Sequence, residues 1–411
     1  MDKADIPMPG CVIWIVNLAD IELAYGRSAA HIVVRAVFRR LADLGVAHES
    51  VRQEGDAFLL APVPFVPERS PGGNARDEWA FRVRWALGVP VAVGGRRRVC
   101  PAIEVAFANT GEGTGIRSKG SIFAGVSAVR RPPAEPGASW RRAFRRDMAT
   151  ASGLADDLRA GRLGIAFQPV VLIHARSSVL YDELLLRPPG GNAASGTGAL
   201  EKQGLVWQLD CCMVWTSIDM LGRHPQRSLG CNVSAVSFYP EAWWFDIIAY
   251  LRACPSIARR LVLEITETGS LRDVDKALNL LMRLQELGVR IALDDVGVGT
   301  CALAFLIDAS PDIVKIDRSL LRRAARSRAG KRQLSGLINL CCACSPCVIM
   351  EGVENDGDLL LVEGTGVAAV QGYAIGRPTV TPEWVNGVPK YVLPAMAFLQ
   401  FRSLPPAENA A

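Results

Sequence analysis

Histidine is scarce in this chain, four residues among 411. None of them stands at the end of a predicted strand, which fits oxygen rather than imidazole ligation for a metal held there. Long apolar runs are missing too: none approaches the ~18 residues that a membrane-spanning helix needs. The opening MDKADIPMPG has no secretory signal pattern. No long uninterrupted basic run occurs, and the net charge of +5, from 46 basic and 41 acidic residues, is a mild excess. Nucleic acid is therefore not an expected partner. The eleven cysteines come as adjacent pairs and scattered singles, unlike a disulfide framework. A reducing, cytoplasmic setting is the expectation. Cys344 and Cys347 form a CxxC within LCCACSPC, but no second CxxC or His pair accompanies it. That stretch reads as a helix end with small buried thiols rather than a zinc site.

What is present is an apolar fraction of 50%, enough to fill the cores of two domains. A composition break falls at RRPPAEPGAS, residues 130–139, and reads as a linker. The basic stretch WRRAFRRDM follows; its arginines read as a solvated face, and their spacing gives no support to phosphate binding. The expected organisation is a domain over 1–130, linker and helix over 131–150, a second domain over 151–395 and a tail over 396–411.

After the linker a pattern repeats. Short runs rich in Val, Ile and Leu end in polar residues, and a helical segment often follows. The runs are GIAFQPV, VLYDELLLR, LGCNVSA, LVLEITE, RIALDDV, DIVKIDR, VIMEGVE and AAVQGYA. Strands alternating with helices predict a parallel sheet, and eight of them predict a (β/α)8 barrel of the TIM type. Such a barrel gathers its site at the C-terminal ends of the strands. The polar residues there are Gln168, Glu183, Asn232, Glu264, Asp294, Asp295, Lys315, Glu351 and Gln371. One polar residue at a strand end is unremarkable; five carboxylates with a lysine and amides in one positional slot are not.

Carboxylates beside an asparagine oxygen offer hard, oxygen-only ligation, which suits Mg²⁺ or Mn²⁺. Adjacent aspartates can serve two ions, which together activate a water and neutralise a phosphodiester during in-line displacement. A lysine among them can stabilise developing negative charge. The pattern points to metal-assisted phosphodiester hydrolysis.

These residues also resemble a known family. The half of the chain from about residue 145 to 378 looks like an EAL domain, the family that hydrolyses cyclic di-GMP to linear pGpG. Glu183-Leu184-Leu185 followed by Leu186-Arg187 stands for EAL and LR, Asn232-Val233-Ser234-Ala235 for NLSA, and Glu264-Ile265-Thr266-Glu267 for ELTE. Residues 294–299, DDVGVG, stand for DDFGTG; KID, EGVE and QGY recur at Lys315, Glu351 and Gln371. The resemblance implies metal binding by Glu183, Asn232, Glu264, Asp294 and Asp295, with two ions. It implies a catalytic role for Lys315, and for Glu351 a second metal or the attacking water. Gln168, Arg187 and Gln371 would contact the dinucleotide, while Glu267 and Glu354 would stabilise the loop. It further implies an irregular barrel with one antiparallel strand, and a homodimer through this domain.

Departures from the motifs are specific. Leu184 replaces the alanine of EAL. In the loop after Asp295, Val296 replaces phenylalanine and Val298 a threonine, and Thr300, Cys301 and Ala302 stand where tyrosine and two serines are usual. Misplacement by ~1 Å is enough to impair catalysis. The alternative to hydrolysis is therefore a receptor that holds cyclic di-GMP uncut and signals through a protein partner; a scaffold without ligand would have no need of crowded carboxylates.

The first half is similar to a GGDEF domain, the family that makes cyclic di-GMP. CVIWIVNLAD looks like its first core strand, YGRSAAHIVVRAVFRRL like the helix that follows, and VRQEGDAFLL like the signature hairpin. Glu54-Gly55-Asp56-Ala57-Phe58 stands in place of GGDEF, and Asn17 or Ala19 in place of a metal-binding aspartate. No RxxD motif precedes the hairpin; residues 45–48 stand there. The expectation is an α/β module without cyclase activity, regulatory or dimerising, that meets a protein partner.

Overall fold

The computed structural model describes residues 11–60, 75–107, 136–190, 193–266, 271–298, 303–384 and 392. The chain divides into two compact units. One comprises Met1–Ala160, Gly190–Leu209 and Glu241–Asp246; the other comprises Gly161–Pro189, Asp210–Pro240 and Ile247–Ala411.

The first unit is a small α/β domain. Its strands are β1 (Cys11–Ile15), β2 (Val51–Glu54), β3 (Ala57–Leu60), β4 (Val91–Ala92), β5 (Arg98–Val99) and β6 (Ile103–Phe107). Four of them pair antiparallel in the order β2-β3-β1-β6, and β4 with β5 forms a separate ribbon. The wholly apolar CVIWI becomes the buried strand β1. Helix Arg27–Asp43 buries Ala29, Ala30, Val33, Val37 and Leu41, the spacing of one helical face.

The expected hairpin forms: Glu54 pairs with Ala57, and Gly55 takes a φ of +63° in the turn. Its two strands differ in burial, β3 being mostly buried and β2 not. β2 is largely exposed because it is the edge of the sheet, where polar side chains block further pairing. Asn17 is buried and its amide is engaged. Nδ2 donates to the Cys100 carbonyl and Oδ1 accepts from Ala102 N–H, each at 2.9 Å. Arg84 is also buried, between Glu241 (2.6 Å) and Glu104 (3.4 Å), with its guanidinium 4.5 Å from the Trp207 ring. These contacts tie residues 207 and 241 into this unit.

In the second unit, eight strands among the described residues close into a barrel. They are β7 (Gly164–Leu172), β8 (Ala175–Arg187), β9 (Leu229–Ser234), β10 (Leu261–Thr266), β11 (Arg290–Val296), β12 (Ile313–Ile316), β13 (Cys347–Met350) and β14 (Ala369–Val370). From β8 to β14 neighbours are parallel, while β7 runs antiparallel to both β8 and β14. The cause is local. Residues 173 and 174 alone separate β7 from β8, far too few for the crossover that parallel strands require.

Helices follow the parallel strands, and four begin on side-chain caps. Asp273, Asp317, Ser327 and Asn355 each accept a backbone N–H of the first turn. Helix Arg328–Cys344 ends within the CxxC as expected, with Cys347 already on β13, but of the four thiols in LCCACSPC only Cys341 is buried. No helix among the described residues is long and apolar enough to cross a membrane.

The barrel interior is built in layers. Val170, Tyr181, Val262, Ala292, Ile313, Ile349 and Ala369 form one buried apolar layer, a residue from each strand except β9. Gly230, paired with Val262, holds the β9 position of that layer.

Candidate active site

Side chains along a strand alternate between faces, so a residue two positions further points into the same interior. Two residues beyond the apolar layer stand Glu183, Asn232, Glu264, Asp294, Lys315, Glu351 and Gln371, one on or just after each parallel strand. On the reversed strand β7 the count runs backwards, and two residues before Val170 is Gln168. Gln168 and Glu183 are register partners. Neither terminates its strand as the sequence pattern suggested; both sit inside because β7 and β8 extend past the rim.

Lys315 occupies the centre, 1% exposed. Its Nζ lies 2.5 Å from Glu264 Oε2, 2.7 Å from Glu351 Oε1, 3.2 Å from Asp294 Oδ1 and 3.3 Å from Glu183 Oε2. Burial works against the ammonium, yet Asp294, Glu183, Glu264 and Glu351 outweigh it and hold its pKa well above the usual lysine value. Glu183 is the best-satisfied carboxylate. Burial would raise its pKa, but Lys315 and hydrogen bonds from Gln371 (2.6 Å) and Asn232 (2.7 Å) bring it below normal.

The other carboxylates go the opposite way. Burial and then the Glu183 charge push Glu264 far up, and burial likewise raises Asp294. Burial pushes Glu351 up to about 8, with Asp294 and Glu183 adding to it against Lys315. One ammonium is too little charge for four surrounding carboxylates.

Adjacent strand residues ordinarily face opposite ways, which makes Asp294-Asp295 a geometric problem. The register shifts between Leu293 and Val296, where β11 carries an extra residue relative to β12. Asp295 then takes a left-handed φ of +53° and Gly297 one of +103°. The bulge and turn bring an oxygen of Asp294, one of Asp295 and one of Glu351 within 4.8 Å of one another.

Two features test whether this site suits a hard divalent cation. Glu264 Oε1 is buried without a hydrogen-bond partner, and the donors around it are oxygens of carboxylates and an amide. Both fit. The residues that would hold such ions are Glu183, Asn232, Glu264, Asp294, Asp295 and Glu351.

The remaining candidates are dispersed. Arg187 is exposed at the end of β8 and donates to its neighbour's carbonyl. Gln168 is half-buried and donates to the Gly376 carbonyl at 3.1 Å. Glu354 lies outside the group, exposed and paired with Arg322 at 3.1 Å. Glu267 falls outside the described residues, as do Thr300, Cys301 and Ala302 of the loop after Asp295. Sequence reasoning missed Gly230. A Cβ there would lie 2.4 Å from Glu264 Oε1 and 2.5 Å from the Tyr181 ring. Its signal was a glycine inside the apolar run LGCNVSA, which often marks close approach by another group.

Residues 151–378 match the family model described as EAL domain. The chain belongs to the EAL domain family. An uncharacterized signaling protein of Caulobacter vibrioides is 30% identical over 346 residues, 80% of this chain and 41% of that protein. The cyclic di-GMP phosphodiesterase PdeF of Escherichia coli is 27% identical over 218 residues, 51% of this chain and 29% of its own length. The chain thus spans less than half the length of these two relatives. Among solved structures, the FimX EAL domain of Xanthomonas citri in complex with c-diGMP superposes with a TM-score of 0.50. It is 19% identical and covers 58% of this chain and 96% of that one, a likeness of fold.

Proposed function

We propose that the chain is a divalent-metal-dependent phosphodiesterase that hydrolyses cyclic di-GMP to linear pGpG. The observation that carries this reading is the ring of four carboxylates around Lys315, with Glu264 Oε1 left unpartnered. Mg²⁺ or Mn²⁺, two ions in this reading, would supply an activated water and neutralise phosphodiester charge.

The chain's own residues divide the remaining work. Gln371 and Asn232 fix the Glu183 carboxylate by hydrogen bonds. Lys315 holds a positive charge at Nζ where negative charge develops on the phosphodiester. Glu351, half-buried at the rim, serves the second ion or the attacking water. Arg187 and Gln168 stand toward the edges, where a planar guanidinium suits a phosphate. Glu267 and Glu354 have the role of stabilising the loop after Asp295.

A receptor that binds the dinucleotide without cutting it is the second reading. Val298, exposed where the family has a threonine hydroxyl, favours it. The domain division 1–130, 131–150, 151–395 and 396–411 belongs to the same proposal, as do a homodimer through the EAL domain and a protein partner for the first domain. That first domain is read as a cyclase-like module without activity. The engagement of Asn17 by Cys100 and Ala102 supports this, because it leaves the amide committed to the fold.

The test is hydrolysis of cyclic di-GMP by the purified chain in Mg²⁺ and in Mn²⁺, with Glu183→Ala alongside. Production of pGpG by the wild type alone establishes the phosphodiesterase. Tight binding of the intact dinucleotide with no product in either metal establishes the receptor.

A further inference from the structure

The first unit holds a cavity of about 320 Å³ whose walls come from Tyr25, the turn between β4 and β5, and helix Ala138–Arg159. The cyclase-like hairpin of β2 and β3 is not part of it. Four guanidinium groups, from Arg96, Arg97, Arg98 and Arg145, line the cavity against one carboxylate, Asp156.

Two of the arginines are fixed by the protein. Arg98 pairs with Asp156 and donates to the Pro90 carbonyl at 3.3 Å. Arg145 donates through Nε to the Ala24 carbonyl at 2.6 Å, and its guanidinium lies 5.6 Å from the Tyr25 ring centre. The Nη groups of Arg145 are not used in that hydrogen bond.

Arg96 and Arg97 are exposed, and no side-chain partner is assigned to either among the described residues. The turn places them deliberately close. Gly94 and Gly95 take φ of +115° and +57°, and Arg97 N–H donates to the Gly94 carbonyl at 3.2 Å. Three consecutive arginines are thereby presented on one tight turn beside a fourth. Burial raises the pKa of the Tyr25 phenol while Arg145 and Arg97 draw it down, so both guanidinium groups act on the same hydroxyl.

A fold has no need to concentrate like charges around a cavity; they repel unless an anion shares the space. Planar guanidinium forks match phosphate oxygens in geometry as well as charge. The cavity exceeds what one orthophosphate fills, and its positive excess suits linked phosphates better than a single one. We propose that this pocket binds a small molecule carrying a diphosphate or triphosphate group, held by Arg96, Arg97 and Arg145. The site is independent of the barrel and of the reaction proposed there.

The test is calorimetric titration of the full chain with inorganic pyrophosphate, GTP, ATP and orthophosphate, for wild type and the double variant Arg96→Ala/Arg97→Ala. The expected result is binding of pyrophosphate, of the nucleotides, or of both, with orthophosphate at least tenfold weaker. Pyrophosphate binding as tightly as GTP identifies an inorganic occupant, and tighter GTP or ATP a nucleotide. The double variant should weaken binding by about tenfold per arginine while its melting temperature is unchanged. Because both side chains are exposed, their loss does not threaten the fold. Absence of binding by all four ligands, or equal binding by the double variant, overturns the proposal.

Discussion

A side-chain carbon on Gly230 would lie 2.4 Å from Glu264 Oε1, so the carboxylate fills the room that a side chain would need. The glycine leaves an opening in the apolar layer, and the ligand set above reaches down into it. Gly230→Ala should therefore displace Glu264 or Tyr181 and cost about 1–3 kcal/mol of stability through overpacking. Mn²⁺ affinity should fall as well. Urea midpoints together with metal titration check this; a variant with unchanged values for both would mean that the layer yields easily.

Lys315→Met should destabilise the metal-free chain by about 3–5 kcal/mol, since it strands buried carboxylates without a counter-charge. Mn²⁺ should restore part of that loss. Thermal melts in EDTA and in Mn²⁺ decide the matter, and equal melting of variant and wild type in EDTA would contradict the charge argument.

Glu351 has its pKa pushed up to about 8 in the metal-free protein. A carboxyl must lose its proton to bind a cation. Mn²⁺ affinity should thus tighten as pH rises toward about 8, by up to about tenfold per pH unit, and level off above it. In Glu351→Gln this slope should flatten. The same slope in both proteins would remove Glu351 from the metal site.

Asp20 is buried in helix Leu18–Tyr25, its Oδ1 has no hydrogen-bond partner, and burial pushes its pKa up to about 6. A folded-state pKa above the unfolded value means that the native state holds the extra proton between about pH 4 and 6. Stability is therefore lost as pH rises through that window. Asp20→Asn should stabilise the chain by about 1–2 kcal/mol near pH 7.5 and give little near pH 4. Equal gains at the two pH values would show that something other than ionisation is responsible.

The barrel was legible in the sequence because most of its strands are buried on both faces and read as apolar runs. The candidate residues were legible because they share one offset from those runs. Periodicity did not give the direction of β7: Gly164–Leu172 reads like any parallel strand, and only the short connection at residues 173 and 174 betrays the reversal. Nor did it reveal how Asp294 and Asp295 reach one site, since a bulge is set by the neighbouring strand's register. Arg145 looked like one more arginine on a solvated helix; its bond to Ala24 joins residues 121 apart, beyond the reach of any local pattern.

Lys315 has a consequence for the order of events in the life of the molecule. With an ammonium already among its carboxylates, the barrel carries part of its own counter-charge before any divalent cation arrives. In the proposed metal-dependent reading, assembly and activation are then separate steps: a chain made where metal is scarce waits intact, and the supply of metal sets how many finished molecules work at a given moment.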